Sequence, residues 1–129
     1  MHQEIPVELD ALARQVVDAA FRVHKVLGPG LLESAYQTCL EIELRKKDVP
    51  FASQCVLPIR YEGAVIEGAY RIDLLVGGQL VVELKSVDQL LPVHSAQLLT
   101  YLKLSNNRLG LLINFNTPLI KDGIKRIAL

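Results

Sequence analysis

The chain has 129 residues, half of them hydrophobic, and 14 Lys plus Arg offset 14 Asp plus Glu to a formal net charge of zero. That length suits one domain over residues 1–129, the composition excludes a disordered chain, and the neutral balance argues against coating nucleic acid or an anionic membrane through bulk charge. The charge is nevertheless sorted: residues 1–84 carry 8 basic and 12 acidic side chains, whereas the stretch from Lys85 onward carries 6 and 2.

The opening segment MHQEIPVELD lacks the basic and apolar regions of a secretory signal. No run reaches the roughly 18 apolar residues of a membrane span, so a soluble cytoplasmic protein is expected. Leu9, Leu12, Ala13, Val16, Val17, Ala20 and Phe21 recur at helical spacing, opposite Arg14, Asp18, Arg22 and Lys25. This predicts an amphipathic helix lying on a core and ending at Gly28-Pro29-Gly30. A second periodic run starts at Leu32 and ends near Arg45-Lys46-Lys47, cations suited to a helix C-terminus. From Cys55 to Lys85 the period changes to two, punctuated by Glu62-Gly63 and Gly77-Gly78, which predicts three antiparallel strands with Pro58 at an edge or bulge. A third helix follows Pro92 and runs to Asn106-Asn107. The apolar run Leu109 to Phe115 predicts a strand covered on both faces, and Asp122-Gly123 turns the chain into a last strand, Ile124 to Leu129. The order ααβββαββ describes one compact α/β (α+β) domain with a mixed sheet flanked by helices. Cys39 and Cys55 lack C-x-x-C spacing and are expected as free, buried thiols.

The hairpin Tyr70–Val76, Gly77-Gly78, Gln79–Lys85 carries most of the chemistry, because Arg71, Asp73, Glu83 and Lys85 interrupt otherwise apolar strands. A two-residue loop would mix charge into both faces. A three-residue loop, Gly77-Gly78-Gln79, pairs Val76 with Leu80 and sets Asp73 across from Glu83. It places Ile72, Leu74, Val76, Leu80, Val82 and Leu84 on one face and Arg71, Asp73, Glu83 and Lys85 on the other, so the binary pattern selects it.

Directly opposed residues have Cβ atoms roughly 4.5 to 5.5 Å apart. Two carboxylates at that distance on a half-buried surface relieve their repulsion by holding a proton or a cation. Oxygen-only ligation suits Mg²⁺ or Mn²⁺, and Lys85, about 6.6 to 6.8 Å along the strand from Glu83, reaches over the same site. A metal, a water and a cation beside a strand surface can hydrolyse a phosphodiester. Arg71 is expected opposite Lys85, a pair that makes sense with carboxylates or a phosphate between them. The competing interpretation is a solvated face neutralised by salt bridges.

Ile72-Asp73, nine residues, then Glu83-Leu84-Lys85 resembles the signature of the PD-(D/E)xK nuclease superfamily. Gly30-Leu31-Leu32-Glu33-Ser34-Ala35-Tyr36 resembles the motif of the GxxExxY protein family, a prokaryotic group within it, and the likeness extends from about Leu12 to the C-terminus through His94–Leu102. Ile72 stands where the superfamily signature has proline. The resemblance implies a restriction-endonuclease-like core, Asp73 and Glu83 as ligands of Mg²⁺ or Mn²⁺, the carbonyl of Leu84 as a further ligand, and Lys85 as the catalytic lysine. It also implies that Glu33 points into the same site and that Gln97 supports it from the later helix.

Among the remaining residues, Tyr36 is expected in the core with its hydroxyl satisfied, and His24 as a C-terminal helix partner. His94, Gln97 and Tyr101 share one helix face, and Gln97 is the site candidate among them. The sequence thus points to a metal-dependent nuclease acting weakly bound on DNA or RNA, with a homodimer left open. The alternatives are a non-catalytic nuclease-fold module that binds nucleic acid or a partner, and a phosphohydrolase acting on a small substrate.

Overall fold

The computed structural model describes residues 4–129. Two helices lead the chain, α1 (Val7–Leu27) and α2 (Glu33–Lys46). Strands β1 (Phe51–Tyr61), β2 (Ala64–Val76) and β3 (Leu80–Lys85) follow, then α3 (Pro92–Ser105), β4 (Leu109–Asn114), a 3₁₀ turn (Ile120–Gly123) and β5 (Ile124–Ala128). The order matches the periodicity, with the short 3₁₀ turn added where Asp122-Gly123 was expected to turn the chain. The first strand begins at Phe51 rather than Cys55.

Five strands lie in sequence order, β1 to β5, and every neighbouring pair is antiparallel except β3 and β4. Parallel neighbours need a long crossover, which α3 supplies. The central strands β3 and β4 are buried almost throughout, which is why both read as continuous apolar runs. On one face of the sheet, α1 and α2 bury Val16, Ala20, Leu40 and Leu44 against Leu74, Val76, Leu80, Val82, Leu84 and Leu111. On the other, Leu98, Tyr101 and Leu102 of α3 pack on Leu57, Ile72, Val81 and Leu112.

The Gly77-Gly78-Gln79 loop sets the register. Gly77 and Gly78 both take positive φ, 58° and 70°, a conformation that glycine enters without a steric penalty. Val76 pairs with Leu80, Leu75 with Val81 and Leu74 with Val82, as the binary pattern predicts. One expectation fails beyond that rung. Ile72, expected on the Leu74 face, lies with Val81 in the α3-side core. The cause is a break in the pleat: Gln54, opposite Asp73, has φ 52°, and regular β1–β2 pairing skips that position.

Past Tyr70 the β1–β2 hairpin projects beyond β3 as a two-stranded arm, exposed along residues 64–71. Its ladder shifts register at Pro58, which has no N–H to donate. At the opposite side of the sheet, Gly123 lies against the end of β4, where an added Cβ would meet the Asn114 carbonyl oxygen at 2.1 Å. Backbone cannot yield as a side-chain tip can, so Gly123→Ala is expected to lower stability by about 2–3 kcal/mol. Urea unfolding measures this, and an unchanged midpoint would contradict the packing.

Candidate active site

The β2–β3 ladder stops at Leu74–Val82, and the next rung is built by side chains. The Asp73 N–H donates to Glu83 Oε1 at 3.1 Å, and the Leu84 N–H donates to Asp73 Oδ2 at 2.8 Å. Two carboxylates thus replace the backbone bonds that the splaying strands lose, and the two groups come to share one site. Gln37 of α2 donates to the Asp73 carbonyl at 3.2 Å, while Gln54 Nε2 lies 2.9 Å from Gln37 Oε1 and 3.4 Å from Asp73 Oδ1. Asp73 is therefore held by two glutamines, one from α2 and one from β1.

Glu83 is 6% exposed, in the middle of a central strand. Burial, reinforced by the neighbouring Asp73 carboxylate, raises its pKa from 4.5 to about 9, and Lys85 only partly offsets this. Burial and the same two carboxylates also raise the Tyr101 phenol. Among the described residues, the four ion pairs join Arg22 to Glu43, Arg45 to Glu41, Lys46 to Glu43 and Arg126 to Asp10, none at this site. The solvated, salt-bridged face considered from sequence is not what the chain builds here.

Lys85 and Gln97 line one pocket beside the pair, together with Tyr70, His94 and Tyr101. Glu33, expected to point into the same site, does not line that pocket: it is exposed, and its Oε1 accepts the N–H of Ser86 at 3.3 Å, just past Lys85. Among the described residues no third His, Cys, Asp or Glu gathers with Asp73 and Glu83. Leu84 meets the pair through its N–H. The expected Arg71–Lys85 pairing does not form, because the β2–β3 ladder ends before it and Arg71 instead pairs with Val56 on β1.

The surroundings hold the strand end that carries Lys85. Asn114, 1% exposed, accepts the Val87 N–H at 3.1 Å and donates to the Val87 carbonyl at 2.9 Å, continuing the β3–β4 ladder with a side chain. Phe115 N–H donates to the Lys85 carbonyl at 2.9 Å. Ser86 is held from both sides, since its hydroxyl also bonds the Leu31 carbonyl. Tyr36 is fully buried as expected, stacked on Phe115 at 4.5 Å, with its hydroxyl donating to Gly28 O and accepting from Leu31 N–H. The G-x-x-E-x-x-Y segment thus braces the loop after Lys85 through both Glu33 and Tyr36. His24 bonds the Thr117 carbonyl at 2.8 Å, and both cysteines are free, each partly buried.

Sequence reasoning missed Gln37, Gln54 and Asn114. Gln37 follows Glu33 by one helical turn, which was a visible signal; Gln54 and Asn114 act through contacts that no local spacing reveals.

The family model described as the PD-(D/E)XK nuclease superfamily matches residues 10–127. No curated protein matches the chain. One solved structure, "Crystal structure of SSO0001", is 22% identical with a TM-score of 0.48, over 92% of this chain and 60% of that one. This chain therefore spans less than two thirds of the length of that protein.

Glu83 makes stability depend on pH with a defined sign. Between its ordinary value of 4.5 and about 9 the group is protonated in the folded chain and ionised in the unfolded one. The unfolded state then binds fewer protons, so stability falls as pH rises through that window. In EDTA, Tm is expected to decline from pH 5 to 9, and Glu83→Gln to flatten the decline. A wild-type profile as flat as the variant's would contradict the burial of an acid here.

Proposed function

The chain belongs to the PD-(D/E)XK nuclease superfamily, and from that premise we propose that it hydrolyses phosphodiester bonds of DNA or RNA at Asp73, Glu83 and Lys85. The observation that carries this reading is the carboxylate pair itself: two acids clasped at a strand split, with Glu83 buried and, among the described residues, no cation forming an ion pair with either. An oxygen-only donor set whose two carboxyl groups find no cationic partner fits a hard divalent cation, which takes the place of the Glu83 proton. Asp73 and Glu83 would hold Mg²⁺ or Mn²⁺, with the Leu84 carbonyl as a further ligand. Such an ion supplies Lewis acidity, polarising phosphate oxygens and lowering the pKa of a water.

The chain's own residues do the rest. Lys85 projects into the adjoining pocket from two positions along the same strand, where its ammonium offsets charge that builds on the phosphate during attack. Gln97, from α3, orients a group bound beside it. Glu33 acts as a positioning residue, holding the Ser86 N–H and with it the end of the strand that carries Lys85. Gln37 fixes the Asp73 backbone. In this reading the G-x-x-E-x-x-Y segment belongs to the finer GxxExxY group and serves as a brace for the catalytic strand. With zero net charge, nucleic-acid binding is weak and local, so its salt dependence is shallow.

Cleavage of labelled single-stranded DNA, duplex DNA and RNA in Mg²⁺ or Mn²⁺ tests the reading. Wild-type protein is expected to cut and EDTA to stop it. Asp73→Ala and Lys85→Ala are each expected to lower the rate by roughly 100-fold or more. Equal activity in wild type and both variants would place the chemistry elsewhere.

A further inference from the structure

Between the projecting arm and α3 lies an open pocket of about 470 Å³, lined by Tyr70, Lys85, His94, Gln97, Thr100 and Tyr101 among others. That volume falls within the range of small-molecule sites. The pocket adjoins the carboxylate pair but is not formed by it. Its composition is unusual for this chain: two of only 4 tyrosines meet there, with ring centroids 5.6 Å apart at 57°. Tyr101 is nearly buried in the α3-side core, whereas Tyr70, on the arm, is 36% exposed and presents aromatic surface to the pocket.

The polar groups around these rings are mostly unspent. Leu91 N–H donates to His94 Nδ1 at 3.0 Å, so the neutral ring carries its proton on Nε2 and keeps that donor free. The Thr100 hydroxyl is used by the Ala96 carbonyl. The Lys85 ammonium and the Gln97 side-chain amide have no hydrogen bond or ion pair among the described residues. The pocket therefore offers an aromatic face, an amide able to donate and accept, and two further donors.

This chemistry selects its ligand. A simple anion would leave the tyrosine face unused, and a purely apolar molecule would leave Lys85 and Gln97 desolvated without partners. A nucleobase has both a π face and an edge of mixed donors and acceptors, and stacking on aromatic side chains tolerates any base. Inside a duplex both faces of a base are stacked and its pairing edge is occupied, so only an unpaired or extruded base can enter.

We propose that this pocket binds an unpaired nucleobase flanking the scissile phosphate, with the base stacked on Tyr70 and its edge met by Gln97, and that single-stranded nucleic acid, whose bases enter without the cost of extrusion, is the substrate class. The proposal rests on the nuclease reading, because Lys85 belongs to both the pocket and the cleavage site. It also accounts for how a neutral chain holds a polyanion: stacking replaces phosphate contacts as the source of affinity.

The test uses single-stranded DNA and RNA oligonucleotides of one sequence with 2-aminopurine at successive positions, with Ca²⁺ in place of Mg²⁺ so that the strand stays intact. Wild-type protein is expected to quench the probe at one position and to bind the duplex form at least about tenfold more weakly. Tyr70→Ala is expected to weaken single-strand binding about tenfold and abolish the quench, while Tyr70→Phe keeps both. Stronger quenching of the DNA or of the RNA strand identifies the natural one. Equal affinity for duplex and single strand, no quench at any position, or wild-type behaviour of Tyr70→Ala would overturn the proposal. Parallel cleavage in Mn²⁺ separates the two readings: quenching without cleavage supports the pocket and removes the nuclease, and cleavage without quenching removes the pocket alone.

Discussion

The reciprocal bonds between Asp73 and Glu83 and the backbone around them are the constraint on which the site depends. A central strand in a five-stranded sheet has no solvent to satisfy its amides where a neighbour leaves it. β2 leaves β3 at Asp73, and the two carboxylates supply the acceptors that the ladder has lost. The same act that satisfies the backbone brings two acids together, one of them buried. Local folding thereby leaves an unresolved electrostatic problem, and its cheapest solution is a bound proton or a bound cation.

The rest of the charge distribution sharpens that problem. Asp10, Glu41 and Glu43 are partnered by Arg126, Arg45, Arg22 and Lys46 on the helical side of the molecule. Asp73 and Glu83 are left out of these pairings, and Lys85 is directed toward the pocket on the α3 side. Zero net charge is thus compatible with a charged site, because the balance is a sum over the whole chain and the four ion pairs lie elsewhere. Four side chains brace the site, with Gln37 and Gln54 behind Asp73, and Glu33 and Asn114 behind the strand end that carries Lys85.

Much of this was legible in the sequence. Element order followed from periodicity, and the hairpin register followed from the rule that a buried face rejects charge, which selected the three-residue loop and the Val76–Leu80 pair. The burial of Tyr36 with a satisfied hydroxyl was legible for the same reason. The same rule failed at Ile72, because it assumes an unbroken pleat. A non-glycine residue at positive φ, Gln54, breaks the pleat there, and neither composition nor spacing marks that position. That break also cancels the Arg71–Lys85 pairing expected from strict alternation. Gln54 and Asn114 escaped notice because their partners lie 19 and 27 residues away in sequence, contacts that exist only once the sheet has formed.

The central claim is that the Asp73–Glu83 clasp is a divalent-metal site. Calorimetric titration of Mn²⁺ into the metal-free protein measures it directly, with Asp73→Asn and Glu83→Gln as comparisons and circular dichroism to verify that both variants are folded. The account predicts saturable binding by the wild type and its loss in both folded variants. No heat of binding at millimolar Mn²⁺, or wild-type binding retained by either variant, would contradict it.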